Sequence, residues 1–328
     1  MRNSLSILCE NFIENRDTIK ATFGWESTYL YPVCATIFTD KGQKADPEKM
    51  KSCLDILKNQ VGLFSSFRGT GKLVMTSMLA IDNEPEQKLK NALDVFSLLK
   101  EHFFSSQFLP LASMIITNLT EPEHYANIAK RTRHIYELMK KAHPFLTSSE
   151  DSVFAALLAL SHLTDEQILT ETKDCYDLLK PKFFSSNAVQ SLCHVLALSE
   201  GTAEEKYQRT MALFNDLQEK GYRYGTNYEL ATLGVLAMLP KDSHSVIDDI
   251  IDVDHFLSAQ KGYGFWGIPK KQRLMHAGML VTSDYMGNPN NTMMNSAAIG
   301  ATLSLIAAQQ AAMCAVIAST SAASAASN

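Results

Sequence analysis

The sequence has no basic excess: 30 Lys and Arg stand against 35 Asp and Glu over 328 residues, a formal charge of −5. That excludes the electropositive footprint of a nucleic-acid binder, so no nucleic-acid partner is expected. The six cysteines (Cys9, Cys34, Cys53, Cys175, Cys193, Cys314) never fall in a CxxC or CxC spacing, and several sit in apolar runs. They read as buried thiols. Nine histidines include no HxxxH or HExxH, so no metal site is expected and no cofactor is named. Glu10 interrupts the N-terminus before a signal-peptide core develops, which points to a reducing cytoplasm. Disorder is excluded as well, because 46% apolar residues are ample for a core.

What the sequence does have is a repeat. Short aromatic-plus-small triplets begin at Trp25, Phe64, Phe104, Thr147, Phe184, Tyr224 and Phe265, with successive spacings of 39, 40, 43, 37, 40 and 41 residues. Behind each follows a run free of Asp, Glu, Lys and Arg: 29–38, 73–81, 108–119, 153–161, 188–199, 230–239 and 274–283. Small residues alternate there with Leu, Met and Val, the pattern of a helix that is apolar all round and therefore buried. Charged segments of helical period come next, as at 85–102, where Leu89, Ala92, Leu93, Phe96 and Leu99 form one stripe. These read as surface helices with one face on the core.

Boundary residues agree with that reading. Pro47, Pro85 and Pro122 suit first helical turns, Gly221 suits a helix C-terminus, and the Ser and Thr of the triplets suit N-caps. Thr226-Asn227-Tyr228-Glu229 is read as a capping box. The fold class is all-α: about seven helix-pair repeats of about 40 residues in an α/α toroid or a tightly curved α-solenoid. Length alone would suggest two domains, but repeats extend as one unit. A single domain over 1–318 is therefore expected, with an N-terminal helix 4–20, repeats starting near 25, 64, 104, 147, 184, 224 and 265, and a buried Ala-rich helix 296–318 before a flexible tail 319–328. The stretch 297–318 is long enough to span a bilayer. Gln309 and Gln310 in its middle and the absence of flanking anchors argue instead for burial, so no membrane association is expected.

Candidate chemistry gathers in the loops that lead into the apolar helices. Gly69-Thr70-Gly71-Lys72 resembles the end of a phosphate-binding P-loop, but Leu73 replaces the Ser or Thr and the upstream Gly is missing. Glycine-rich backbone at a helix N-terminus beside Arg68 and Lys72 can still hold an anion; the plain alternative is a turn into a buried helix. The loop 261–273 carries Lys270, Lys271 and Arg273 with Phe265 and Trp266 among three glycines. If the repeats close into a ring, the two loops would form one positive mouth. Rim acids Glu26, Glu150, Asp151 and Glu229 could pair carboxylates for acid/base work on a glycoside, but capping and the helix dipole are the better explanation of them. Asp248-Asp249-Ile250-Ile251-Asp252 spells DDxxD, the diphosphate-binding pattern of helical prenyl enzymes; without a second metal motif it reads as a solvated face, extended by Asp254. His194 and His276 fall inside apolar runs and read as hydrogen-bonded core.

At Phe67-Arg68-Gly69-Thr70-Gly71-Lys72-Leu73, His143-Pro144-Phe145-Leu146-Thr147-Ser148, Asn187-Ala188-Val189-Gln190-Ser191-Leu192 and Gln260-Lys261-Gly262-Tyr263-Gly264-Phe265-Trp266-Gly267, the chain resembles domain-of-unknown-function family 4003 of Gram-positive bacteria. The resemblance covers nearly the whole length and implies a cytoplasmic bacterial protein, with no activity, cofactor or catalytic residue to carry over. The functional expectation is a binding protein that receives an anionic small molecule or peptide through Arg68, Lys72, Phe265, Trp266, Lys270, Lys271 and Arg273. The alternatives are an α/α-toroid enzyme acting on a carbohydrate or isoprenoid, and a homo-oligomeric scaffold.

Overall fold

The computed structural model describes residues 1–63, 65–264, 267–287, 309 and 313–317. Among these, fourteen α-helices and two short 3-10 turns are present and no strand. In chain order the first eight are α1 (Asn3–Thr22), α2 (Leu30–Asp40), α3 (Pro47–Gln60), α4 (Lys72–Ala80), α5 (Pro85–Lys100), α6 (Leu109–Leu119), α7 (Tyr125–Ala142) and α8 (Asp151–Leu160). There follow α9 (Asp165–Leu179), α10 (Ser186–Leu196), α11 (Ala203–Glu219), α12 (Glu229–Met238), α13 (Ser243–Ser258) and α14 (Lys270–Gly287). Phe64, Phe265, Trp266 and the expected tail 319–328 lie outside the described residues. Of the expected helix 296–318, only 309 and 313–317 are described; these are helical and buried.

The even-numbered helices are the apolar runs, and they are buried all round: every residue from 30 to 39 in α2, 73 to 80 in α4, 109 to 117 in α6 and 229 to 237 in α12. A helix can be buried this completely only if its polar side chains need no outside partner. Most Ser and Thr of these helices meet that condition by donating to the carbonyl one turn back, Thr232 of α12 being an exception. Thr36 donates to Pro32, Thr76 to Lys72, Ser77 to Leu73, Thr117 to Ser113 and Thr282 to Gly278, all at 2.8–3.0 Å. Odd-numbered helices bury a single stripe, as with Leu89, Ala92, Val95 and Leu99 of α5.

Helix ends follow local chemistry. Pro47 and Pro85 occupy first turns of α3 and α5, and Pro122 opens a 3-10 turn before α7. Gly221 has φ +86°, with Tyr222 N–H donating to Leu217 O and Gly221 N–H to Gln218 O, a Schellman ending to α11. Ser185 caps α10 by accepting from the Ala188 N–H. The expected capping box at Thr226 does not form, because α12 starts only at Glu229, too late for Thr226 to act as its cap. A capping box forms instead between Thr202 and Glu205 at the start of α11.

The packed pair has a different phase from the one the triplets suggest. Five surface helices lie chiefly against the core helix that follows: α3 on α4, α5 on α6, α7 on α8, α11 on α12 and α13 on α14. The recurring triplet therefore marks the loop inside a pair, and its recurrence in sequence says nothing of which neighbour a helix packs on. The contacts cluster into two compact units. In one, residues 15–165, the core helices α2, α4, α6 and α8 stand side by side under α3, α5 and α7. In the other, residues 1–14 with 166–316, α10, α12 and α14 stand side by side. There α11 is tied to α9 by Lys206 and Glu171 at 2.6 Å, and Gln309 donates to Ser283 of α14 at 3.0 Å.

Cations on the surface helices close the C-terminal ends of the core helices. Arg131 of α7 donates to the carbonyls of Ala159 (2.9 Å), Ser161 (2.8 Å) and Leu163 behind α8. Arg209 of α11 does the same at Leu239 and Lys241 behind α12, and Lys49 of α3 at Asp82 behind α4. These carbonyls lack intrahelical partners and carry the negative end of the helix dipole, so a fork of N–H donors answers both needs. Arg131→Met is expected to lower the unfolding free energy by about 2–3 kcal/mol in urea titrations, with Arg131→Lys recovering only part. An unchanged midpoint would show that the brace carries no stability.

All six cysteines are buried and unpaired. Burial pushes the Cys9 and Cys34 thiols up to about 12 and Cys175 to about 11, so the reactive thiolate is scarce at neutral pH. A thiol reagent at pH 8 should leave the native protein unlabelled and modify every cysteine in urea; rapid native labelling would contradict this burial.

Candidate functional site

In the unit 15–165, the loops that lead into the core helices touch one another. Lys72 Nζ meets Glu26 Oε1 at 3.0 Å between the first and second loops, and Thr70 Oγ1 donates to Gln107 Oε1 at 3.3 Å between the second and third. Because the core helices of this unit stand side by side and are each separated by one returning surface helix, these loops line one edge. Inward aromatics anchor them. Phe67 is fully buried against Phe96, with ring centroids 5.1 Å apart, and half-buried Phe103 meets Tyr136 edge-on at 5.2 Å.

Beside each anchor a second large apolar side chain points to solvent. Trp25 is 75% exposed, Leu63 76%, Phe104 97% and Phe145 99%. In the other unit, Phe183 is buried against Phe214 while Phe184 is 99% exposed. Sequence reading did not assign these residues a role, although the doublets Phe103-Phe104 and Phe183-Phe184 carry the signal: neighbours in extended backbone point opposite ways, so only one can enter the core. The surface helices end next to this edge with Lys20 (α1), Lys58 (α3), Lys100 (α5) and the pair Lys140 and Lys141 (α7), all exposed. Their starts carry acids at the far end, Glu48 and Glu86. Both placements complement the helix dipole.

The residues expected to bind an anion are distributed differently. Arg68 donates to the Lys58 and Val61 carbonyls at the end of α3, and Lys72 is paired with Glu26. Gly69 and Gly71 have negative φ, −75° and −76°, and a Cβ on Gly69 would press on Ser66 O at 3.1 Å. In the other unit, Arg273 forms a two-pronged pair with Asp254 at 2.7 and 2.9 Å, where both side chains are nearly buried. Lys270 and Lys271 are exposed in the first turn of α14. Phe265 and Trp266 lie outside the described residues. The glycines of that loop serve a tight turn: Gly262 has φ +91°, and a Cβ on Gly267 would lie 2.0 Å from Gly262 O. Tyr263 is buried there, its hydroxyl 2.9 Å from His276 Nδ1, so His276 is a hydrogen-bonded core histidine.

Two of the four rim acids, Asp151 and Glu229, turn back on their own helix ends. Asp151 accepts from the Ser148 N–H at 2.8 Å, Glu229 from the Asn227 N–H at 3.1 Å, and Glu26 is held by Lys72. The expected solvated face at DDxxD is corrected as well. Asp249 is buried between Arg2 (2.9 Å) and Lys241 (2.6 Å), and Asp254 is buried with Arg273; Asp248 sits exposed, paired with Lys220 at 2.8 Å, and the partly exposed Asp252 meets the Met1 amino group at 2.5 Å. Arg2 and Lys241 hold the Asp249 carboxyl below its usual range against the opposing effect of burial. No group of three His, Cys, Asp or Glu suited to a metal ion occurs among the described residues. Nor is any described helix long and apolar enough to cross a membrane.

These features define a class: an all-α protein of repeated surface-and-core helix pairs, with apolar and basic side chains along one edge of its loops. The family described as protein of unknown function DUF4003 covers residues 15–311, and the chain belongs to it. The chain is also 24% identical over 323 residues to the uncharacterized protein YeaA of Bacillus subtilis strain 168, covering 96% of this chain and 95% of that one. No solved structure matches.

Burial pushes the Asp151 carboxyl from 3.8 up to about 7, with the Glu150 charge adding to it and the Ser148 N–H opposing. The folded state therefore holds a proton that the unfolded chain releases near pH 4, and stability falls as pH rises from about 4 to about 7. Asp151→Asn should be neutral at pH 4 and stabilising by on the order of 3 kcal/mol at pH 8. Parallel urea curves for both proteins across that range would refute this assignment.

Proposed function

We propose that the protein is a non-enzymatic binding protein that receives an anionic partner on the edge formed by the loops leading into its core helices. The observation that carries this reading is the pairing, in one loop after another, of an outward apolar side chain with lysine at the end of the preceding helix. Large apolar side chains left in water one by one are ordinary; the same position exposed in successive repeats points to use. Helix dipoles account for the lysines but not for the aromatics beside them.

Arg68, Lys72 and Arg273 spend their charge inside the protein, so the cations offered to a partner are Lys100, Lys140 and Lys141 in one unit and Lys270 and Lys271 in the other. The finer architecture proposed with this function is an α/α toroid or tightly curved solenoid. Arg2 supports it by joining the start of α1 to Asp249 of α13 and Asp284 of α14, so the first helix meets the last described pair. Six unpaired thiols support a cytoplasmic setting.

Despite its net charge of −5, the protein should be retained on a heparin matrix at low salt and released as salt rises. Lys100→Glu with Lys140→Glu and Lys141→Glu should weaken that binding at least about tenfold without shifting thermal unfolding. Passage straight through the column, or retention untouched by the three substitutions, would remove the proposal.

A further inference from the structure

We infer that the loop edge of the unit 15–165 docks on an anionic lipid bilayer, with Trp25, Leu63, Phe104 and Phe145 entering the headgroup layer and the lysines meeting lipid phosphates. This rests on the anionic-partner reading and names the partner. It departs from the expectation of no membrane association, which followed from the apolar stretch 297–318 alone.

Three features favour a bilayer over a protein. First, the apolar side chains stand singly on separate loops, the two phenylalanines almost wholly in solvent. A protein partner takes its aromatic anchors from a packed central patch with a surrounding rim, whereas a fluid headgroup layer closes around each inserted side chain separately. Second, each loop joins the apolar tip to a lysine a few residues earlier: Lys20 before Trp25, Lys58 before Leu63, Lys100 before Phe104, and Lys141 before Phe145. Aromatic tips with adjacent lysines are the combination that binds reversibly to anionic interfaces. Third, the acids Glu48 and Glu86 stand at the opposite ends of their helices, away from the lysines, and Glu26 on this edge is already paired with Lys72.

A second copy of the chain is a poorer occupant. The groove of about 620 Å³ between α3 and α5 is lined mainly by polar side chains, among them Gln60, Asn83, Glu84 and Gln87, and suits no inserted phenylalanine.

The experiment is flotation of the full-length protein with phosphatidylcholine vesicles, with and without phosphatidylglycerol. The protein should float with the anionic vesicles only, less so as salt rises. Replacing Trp25, Leu63, Phe104 and Phe145 by Ser should weaken flotation at least about tenfold while leaving heparin retention and thermal unfolding in place, since these side chains touch little of the protein. Should that variant misfold, Phe104→Ser and Phe145→Ser serve singly. Alternatively, quenching of Trp25 by brominated lipid can be read in a Trp266→Phe background. Heparin retention without flotation overturns the lipid partner and leaves the binding edge; loss of both overturns both readings. Undiminished flotation of the Ser variant, or a dimer in sedimentation that the Ser variant dissolves, overturns the bilayer docking.

Discussion

Complete burial of the core helices is the constraint on which the rest of the structure depends. A helix surrounded by protein on every side has no water to satisfy its polar groups, so each must find a partner in the chain. Inside the helix, Ser and Thr answer by bonding to the carbonyl a turn back, as Thr36 and Thr76 do. At the C-terminal end, where carbonyls run out of donors, cations such as Arg131 and Arg209 reach across from the surface helix. These braces tie α3, α7 and α11 each to the core helix that follows, which matches the phase of the packed pairs.

The same electrostatics sorts charge along the surface helices. Acids favour helix starts and lysines favour helix ends, and because the surface helices of a unit run the same way between core helices, their lysines gather along one edge, interspersed with acids such as Glu26 and Glu101. That gathering of lysines needs no selection for binding. The outward Phe104 and Phe145 are different, because no local rule rewards a phenylalanine in water, and they are what gives the edge a functional meaning.

Several motifs that look chemical in sequence are absorbed by local structure. DDxxD becomes a set of ion pairs around Arg2, Lys241 and Lys220. Glycines around Tyr263 make room for backbone, and Asp151 and Glu229 accept N–H bonds from the turns that precede their own helices. A motif names residue types, while its chemistry depends on which lone pairs remain unspent after folding.

The sequence by itself determined the helices and their two kinds, because burial on all sides or on one stripe is written in charge and apolar periodicity. It also determined the proline starts, the Gly221 ending and the buried thiols, all of which follow from one residue and its near neighbours. Only the tertiary structure decided which helix packs on which, that Arg68 and Arg273 face carbonyls and Asp254 instead of solvent, and that Phe67 and Phe183 enter the core while Leu63 and Phe184 leave it. Such choices depend on contacts between residues far apart in the chain, and on how much space a neighbouring helix leaves, which local pattern does not encode.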